Sequence, residues 1–407
     1  MIARPRVCVR LGFLVGCLAA SAAAQTLTER QALQMLRESP YYRELQARVE
    51  VTRAERRRGT LYPNPTVHAE FEGAGRTDFY RFEQPLAVNG RLRLLRRAGD
   101  SAVAATQAEA DYELRRIEAD MRAAFQELIY AQRRGDAIDR SVDELGELVR
   151  ILREREQAGE GSKFDRLRAE REIVERESER VVVEALTAKA HARIAGFLGE
   201  QVSADGIVAE GTLDASEAVP ELRAAIESSL VTRGDYRHQE ARLETLRIEA
   251  LAAGRRSVPN PVLSGGLKRA YNGVDYVHGP VVSVSVDLPF FNKGQAEKQL
   301  AEARAAQERE SRKVLESRIL ADVRGAHESL LIHRRAAEQY ERDSGRRAEE
   351  LREIAGIAYA EGELGILELL DSVRVAQQSR LRLLELKAAA KSAEIEFDRA
   401  TGKEMLP

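Results

Sequence analysis

The chain has 407 residues, of which 32% are charged, 5% aromatic and none Trp, and its formal net charge is -2. Ala, Glu, Arg and Leu dominate, a composition of long helices and coiled coils that is poor in the bulky side chains of a globular core. Charges of both signs are interspersed, with no basic half and no basic–aromatic alternation, which speaks against a nucleic-acid partner.

The first residues read as a secretory signal peptide over 1–24. Arg4, Arg6 and Arg10 form a positive start, Leu11 to Ala20 is a short apolar run, and Ala22 to Ala24 offers a cleavage point before Gln25. The run is too short to span a bilayer. Leu14-Val15-Gly16-Cys17 resembles a lipobox, so an acylated Cys17 is the alternative. Cys8 and Cys17 are the only cysteines, and cleavage after Ala24 leaves no disulfide and no thiolate metal site.

A first repeat is expected over 25–198. Thr28 to Gly59 reads as one helix, with Thr28 and Gln31 spaced as a capping box. Pro63 and Pro65 end it, because proline lacks a donor and pushes its preceding residue to extended geometry. Leu61-Tyr-Pro-Asn-Pro-Thr66 is thus a helix-to-strand converter. A strand pair follows over 66–84. Thr66 to Glu72 alternates, with Val67, Ala69 and Phe71 on one face and Thr66, His68 and Glu70 on the other. Thr77 to Gln84 returns with Tyr80 and Phe82 on one side. After Asn89-Gly90 a helical pattern runs to about Gln157, weakened at Gly135. A hairpin tip falls near 159–162, and a helix returns from Ser162 to about Phe197.

A polar, Gly-containing connector fills 199–218. A second repeat over 219–401 says the same sentence again, with a short tail at 402–407. Ser257-Val-Pro-Asn-Pro-Val262 is a second converter on Pro259 and Pro261, and a strand pair lies within 262–288. Val262 to Arg269 goes out, and Val281 to Leu288 comes back with Val282, Val284 and Val286 on one face. A long helix runs from Gly294 to Tyr359, a tip falls near 361–365, and a last helix reaches Arg399. Leu145, Leu148 and Leu152 suggest one apolar seam and Leu367, Leu370 and Val373 another. Glu172 and Arg176 form an i,i+4 pair.

Four short strands cannot close a barrel in lipid, where each backbone group must be paired and about eight strands are the minimum. The open edges must meet other copies of the chain, and cyclic symmetry is the natural closure. The pattern requires association without fixing its number. Enzyme signals are absent: the six histidines lack ligand spacing, and neither HExxH nor a phosphate-cradling glycine loop occurs. No metal site and no cofactor are expected.

In this order of elements the chain resembles the TolC-like outer-membrane efflux channels over residues 26 to 401. The likeness rests on the doubled converter, strand pair and helical hairpin, and on the tip Tyr359-Ala-Glu-Gly-Glu-Leu-Gly-Ile-Leu-Glu-Leu-Leu-Asp-Ser372. The Gln84-Pro-Leu…Asn-Gly-Arg91 stretch is most similar to the subgroup serving resistance–nodulation–division (RND) pumps, particularly its CzcC-like heavy-metal branch. The resemblance implies a mainly helical α+β fold with internal duplication. It implies a homotrimer whose strands form a transmembrane β-barrel and whose helices form a periplasmic α-barrel. It further implies a Gram-negative outer membrane with its lipid, a periplasmic adaptor and an inner-membrane pump. The function implied is a passive exit duct for pumped substrates, with heavy-metal cations as the cargo that the CzcC-like branch implies. The alternatives are a multidrug channel and, from another class, a periplasmic coiled-coil scaffold.

The family carries aperture-lining acids at the tips. With Gly159 aligned to Gly362, these fall on Asp165, Glu368 and Asp371. Glu368 and Asp371 are i,i+3 and share a helix face. Like charges at ~4 Å repel by roughly 4 kcal/mol at an effective dielectric of 20, so such a ring would exclude anions and concentrate cations. The plainer reading is a solvated helix face. Gly159, Gly161, Gly362 and Leu364 are the expected adaptor contacts, against a plain helix–helix turn. Leu364 replaces a basic residue that ties the closed tip in some relatives, which leaves the closing contact unidentified. Val67, Phe71, Tyr80, Phe82, Val282, Val284 and Val286 are expected to face lipid. Arg56 to Arg58 and Arg255 to Arg256 precede the converters and read either as headgroup neighbours or as solvated helix ends.

Overall fold

The computed structural model describes residues 25–73, 76–199, 206–216 and 218–403. The expected signal peptide over 1–24 with Cys8 and Cys17, the end of the tail, part of the first strand loop and part of the connector lie outside the described residues.

Two halves carry the same succession of elements. The first runs β1 (Gln25–Thr28), α1 (Glu29–Leu36), α2 (Pro40–Arg58), β2 (Thr66–Glu72), β3 (Thr77–Pro85), α3 (Arg91–Gln157) and α4 (Lys163–Leu198). After β4 (Ile207–Glu210), the second runs α5 (Leu222–Thr232), α6 (Gly234–Gly254), β5 (Pro261–Tyr271), β6 (Tyr276–Val286), α7 (Gln295–Tyr340), α8 (Arg346–Ala360) and α9 (Ile366–Thr401). At ~1.5 Å per residue, the 67 residues of α3 reach on the order of 100 Å. No helix among the described residues is long and apolar enough to cross a membrane.

The capping box forms: Gln31 donates its amide to Thr28 Oγ1 at 3.3 Å, and Thr28 donates to Gln31 Oε1 at 2.9 Å. The expected single helix from Thr28 to Gly59 is instead two. Pro40 opens α2 at its first turn and drives Ser39 to extended geometry (ψ 163°), so the chain bends between α1 and α2. The second half bends likewise at Arg233, between α5 and α6. Conversely, α3 does not break at Gly135. The glycine faces Val183 of α4, at a spacing where a Cβ would just touch, and that packing carries the helix through.

Both converters lie between a helix and a strand. Pro63 and Pro65 follow α2 and precede β2, and Pro259 and Pro261 sit between a short 3-10 turn and the start of β5. The second strand pair is longer than expected. It turns over Asn272 to Asp275, where Asn272 Oδ1 accepts from the amides of Val274 and Asp275 at 3.0 and 2.8 Å, so β6 begins at Tyr276 rather than Val281 and ends at Val286. Pro280 falls inside it, on a strand with a single partner.

The connector is not wholly irregular, for β4 pairs in parallel with β1, Gln25 opposite Ile207. Against this small sheet α1, α3 and α4 bury Leu33, Leu36, Met121, Phe125, Leu128 and Ile194. A second cluster joins α5, α7 and α9 around Ile319, Val323, Leu330 and Phe397. A third lies at the hairpin tips, on Leu145, Val149, Leu152, Ala355, Ile366, Leu369 and Leu370. The expected tip seam shifts: Leu367 is 47% exposed, and Ile366 and Leu369 take the inward positions beside Leu370. Arg176 pairs more closely with Glu179 (2.8 Å) than with Glu172 (3.9 Å). A π-helical turn, Glu341–Gly345, interrupts the descending helix between α7 and α8.

Candidate functional site

The four long strands form one antiparallel sheet in the order β2-β3-β5-β6, so β3 and β5 join the two halves and β2 and β6 are each paired on one side only. Register then decides what each face carries. Val67 lies opposite Phe82, Phe82 opposite Gly265, and Gly265 opposite Val282; the next row is Ala69, Tyr80, Leu267 and Pro280. Because side chains alternate, Val67, Phe71, Tyr80, Phe82, Val282, Val284 and Val286 all project from the same face. All of them are exposed. The apolar part of this face, which ends at a polar row of Asp78, Arg269 and His278, thus has no cover within the chain.

The opposite face is polar and internally bonded. His68 Nε2 lies 3.1 Å from Glu83, Arg81 is 2.8 Å from Glu70, and the hydroxyls of Ser264 and Ser283 are 2.5 Å apart. Among the described residues no group of three or more His, Cys, Asp or Glu side chains is arranged to hold a metal ion.

The junction of sheet and helices is clamped by two asparagines. Asn260 Oδ1 accepts from the amides of Val88 and Asn89 at 3.1 Å, and Asn89 Nδ2 donates back to the carbonyls of Arg255 and Val258 at 3.2 and 3.0 Å. One converter of the second half is thereby tied to the strand-to-helix turn of the first.

At the far end both hairpins turn in the same way. Gly159 (φ 79°) and Gly362 (φ 80°) adopt the left-handed conformation that glycine reaches without strain. Each donates its amide to the carbonyl three residues back, Glu156 and Tyr359, at 3.1 Å. The following amides, of Glu160 and Glu363, reach the carbonyls five back, Arg155 and Ala358, at 2.9 and 2.8 Å. These are Schellman caps. Gly161 presses its backbone on Glu156, where a Cβ would sit 2.9 Å from the amide nitrogen. Leu364 is half-buried and packs on the tip cluster.

The alignment of Asp165 with Glu368 has a structural counterpart. Each is the third residue of its helix, α4 and α9, where the helix dipole favours a carboxylate. Asp165 is half-buried; Glu368 and Asp371 are exposed. Asp371 forms an ion pair with Arg374, one turn further along the same helix. That partner was legible as an i,i+3 pair and escaped the sequence reading.

Other contacts that knit the hairpins together were not legible. Arg155 of the first lies over the Tyr359 ring of the second, 5.8 Å from its centroid. Ser141 donates to Gln377 Oε1 at 2.9 Å in a buried position between α3 and α9. Arg380 grips both oxygens of Glu349 at 2.7 and 2.6 Å and reaches Glu144 of α3 at 3.5 Å. Burial works against the charge on Glu349, but hydrogen bonds from Arg380 and Arg352 outweigh it and hold the carboxyl below its usual range.

No family model matches the chain. The cobalt-zinc-cadmium resistance protein CzcC of Cupriavidus metallidurans is 24% identical over 353 residues, 84% of this chain and 82% of that protein. Among solved structures, the outer-membrane channel OprN superposes with a TM-score of 0.73 at 19% identity, covering 93% of this chain and 91% of the other. The transmembrane-channel protein CusC gives 0.73 at 16% identity over 92% of each chain. The open state of the MtrE outer-membrane channel of Neisseria gonorrhoeae gives 0.72 at 18% identity, over 99% and 97%. These likenesses cover nearly the whole chain, and they show that it shares the fold of these outer-membrane channels.

Proposed function

We propose that the chain is one subunit of an outer-membrane efflux duct, conducting passively what an inner-membrane pump expels. The observation that carries this reading is the strand register, which sets Val67, Phe71, Tyr80, Phe82, Val282, Val284 and Val286 on one face and His68, Glu70, Arg81, Glu83, Ser264 and Ser283 on the other while leaving both edge strands open. In lipid such edges must be paired, and further copies of the same chain supply the pairing. Three copies would bring about twelve strands, within the range of bacterial barrels. Duplication of an ancestral half accounts for the repeated order of elements, with 25–198 and 219–401 as the repeats and 199–218 as the connector.

The partners in this reading are a periplasmic adaptor, meeting the tips at Gly159, Gly161, Gly362 and Leu364, and a pump of the RND type. Asp165, Glu368 and Asp371 line the periplasmic aperture, and opening is an outward swing of the tip helices. The cargo is heavy-metal cations, a reading supported by the likeness to CzcC. Cell fractionation and planar-bilayer recording test the duct. Heat-resistant oligomers in the outer-membrane fraction that conduct ions are expected; soluble periplasmic monomers would refute it and favour a scaffold. Deleting the gene should sensitise cells to cobalt, zinc or cadmium; sensitisation to organic compounds alone would discard the metal cargo and keep the duct.

A further inference from the structure

The chain as a whole balances 64 basic against 66 acidic residues. The junction between sheet and helices does not. Segments 56–62, 86–97, 255–261 and 288–296 together hold ten basic residues and no acidic one. The clamp of Asn89 and Asn260 brings these segments to one level. Two of the cations find carboxylates just below the junction, Arg56 at Asp100 and Arg256 at Glu297. Arg57, Arg58, Arg93, Arg97, Arg255 and Lys293 are exposed and have no carboxylate partner among the described residues. Arg91 is half-buried, and its Nε is buried without a hydrogen-bond acceptor. Burial, and then the charge of Arg256, lower its proton affinity, with Glu297 only partly offsetting them.

On the strand side of these cations stands a ring of uncovered apolar side chains. Leu61, Tyr62, Val88, Leu288 and Phe290 are exposed, and Phe291 is 93% so. Aromatic and aliphatic groups beside arginines, at the foot of an apolar sheet face, match the boundary between hydrocarbon and headgroups. We propose that this junction is a collar that binds anionic phospholipid headgroups of the leaflet facing the helices, with the arginines on the phosphates and Phe290 and Phe291 in the acyl boundary. The inference rests on the reading of the sheet as membrane-embedded.

Each cation near an anionic surface is worth roughly a fivefold change in affinity. The full-length protein in detergent, titrated with mixed dioleoyl phosphatidylglycerol and phosphatidylethanolamine and read by native mass spectrometry, should retain the anionic lipid selectively. The R93Q/R97Q/R255Q variant should lose on the order of a hundredfold in that preference, whereas R140Q/R171Q/R318Q, far along the helices, should keep it. Raising salt to about 0.5 M should release the anionic lipid from the unaltered protein, because screening shortens the reach of exposed charges; this arm needs no variant to fold. Equal retention of both lipids by the unaltered protein, or salt-insensitive binding, overturns the collar. So does a photocrosslink from position 57 that captures a second copy of the chain instead of lipid. Conductance in phosphatidylethanolamine bilayers separates the two claims: a conducting protein without lipid preference sinks the collar alone, and a non-conducting one sinks the duct.

Discussion

Arg122 of α3 is the best place to test how the halves are held together. Its side chain is 9% exposed and reaches Glu29 of α1 at 2.7 Å and Asp398 of α9 at 2.9 Å. Asp398 is 8% exposed, so the pair spans the protein from its first helix to its last. In Arg122→Ala, Asp398 keeps its burial and loses its main counter-charge, with Lys403 at 3.4 Å as the cation left beside it among the described residues. Breaking a buried pair on one side costs about 3–5 kcal/mol, and Lys403 argues for the lower end. At about 2.1 cal/mol/K per residue of unfolding entropy, ~3 kcal/mol over a chain of this length lowers the melting temperature by roughly 4 °C. Scanning calorimetry of the detergent-solubilised protein measures it. Replacing both partners, as in R122M/D398L, removes the uncompensated charge and should recover most of the loss. An unchanged melting temperature in Arg122→Ala, or a double variant as weak as the single one, would refute the reasoning.

The sheet makes a sharper functional prediction: Val282→Lys should cost about 2–4 kcal/mol in the membrane-embedded protein, whereas Ser285→Lys, on the other face, should be tolerated, as read by heat resistance of the oligomer in outer-membrane preparations. Arg380→Ala should loosen the tips and raise conductance at neutral pH. It should also abolish an acid sensitivity of the unaltered protein. The Glu349 carboxyl titrates below its ordinary 4.5, so the contribution of the Arg380 pair is complete above about that pH and fades as pH falls through the folded value. Conductance that does not rise on acidification, or that rises equally in both proteins, would discount the tie. Glu368→Ala with Asp371→Ala should raise conductance and weaken its sensitivity to divalent cations; an unchanged channel would remove these acids from the aperture and leave Asp371 as the plain ion-pair partner of Arg374.

What was legible in the sequence was local. The capping box of Thr28 and Gln31, the Gln157 end of α3 and the two tip glycines are set by residues a turn or less apart. The strand faces were legible because alternation survives any error in strand length, which is why β6 could start early without moving Val282 to the wrong side. Contacts between distant elements were not. The β1–β4 pair joins Gln25 to Ile207, and the Ser141–Gln377 bond spans 236 positions. Neither leaves a periodic trace. The π turn at Glu341–Gly345 hides for another reason: a single turn that bonds to the fifth residue instead of the fourth has no composition of its own. At the tips, the equivalence of Asp165 and Glu368 followed from glycine spacing, while the grip of Arg380 on Glu349 and Glu144 required the coordinates.

The open strand edges are not the chain's only unfinished surface. On α4, Leu167, Val174 and Val181 recur every seven residues and all are exposed; on α8, Leu351, Ile354 and Ile357 form a second uncovered stripe. A seven-residue apolar repeat on a long, otherwise charged helix is the seam of a coiled coil, and it is stable only against another helix. Within the chain α4 already spends one face on α3, through Ala169, Val183 and Ala190, so the exposed seam is a second face with nothing opposite it. Sheet and helices therefore stop short in the same manner, at the two ends of one long body. A scaffold of coiled coils would need the helical seams but not the apolar strand face, and a lone barrel fragment would need the reverse. In the proposed duct, closure by further copies of the same chain would complete both at once, and would turn the bonded polar face of the sheet, His68, Glu70, Arg81 and Glu83 among it, toward the enclosed water.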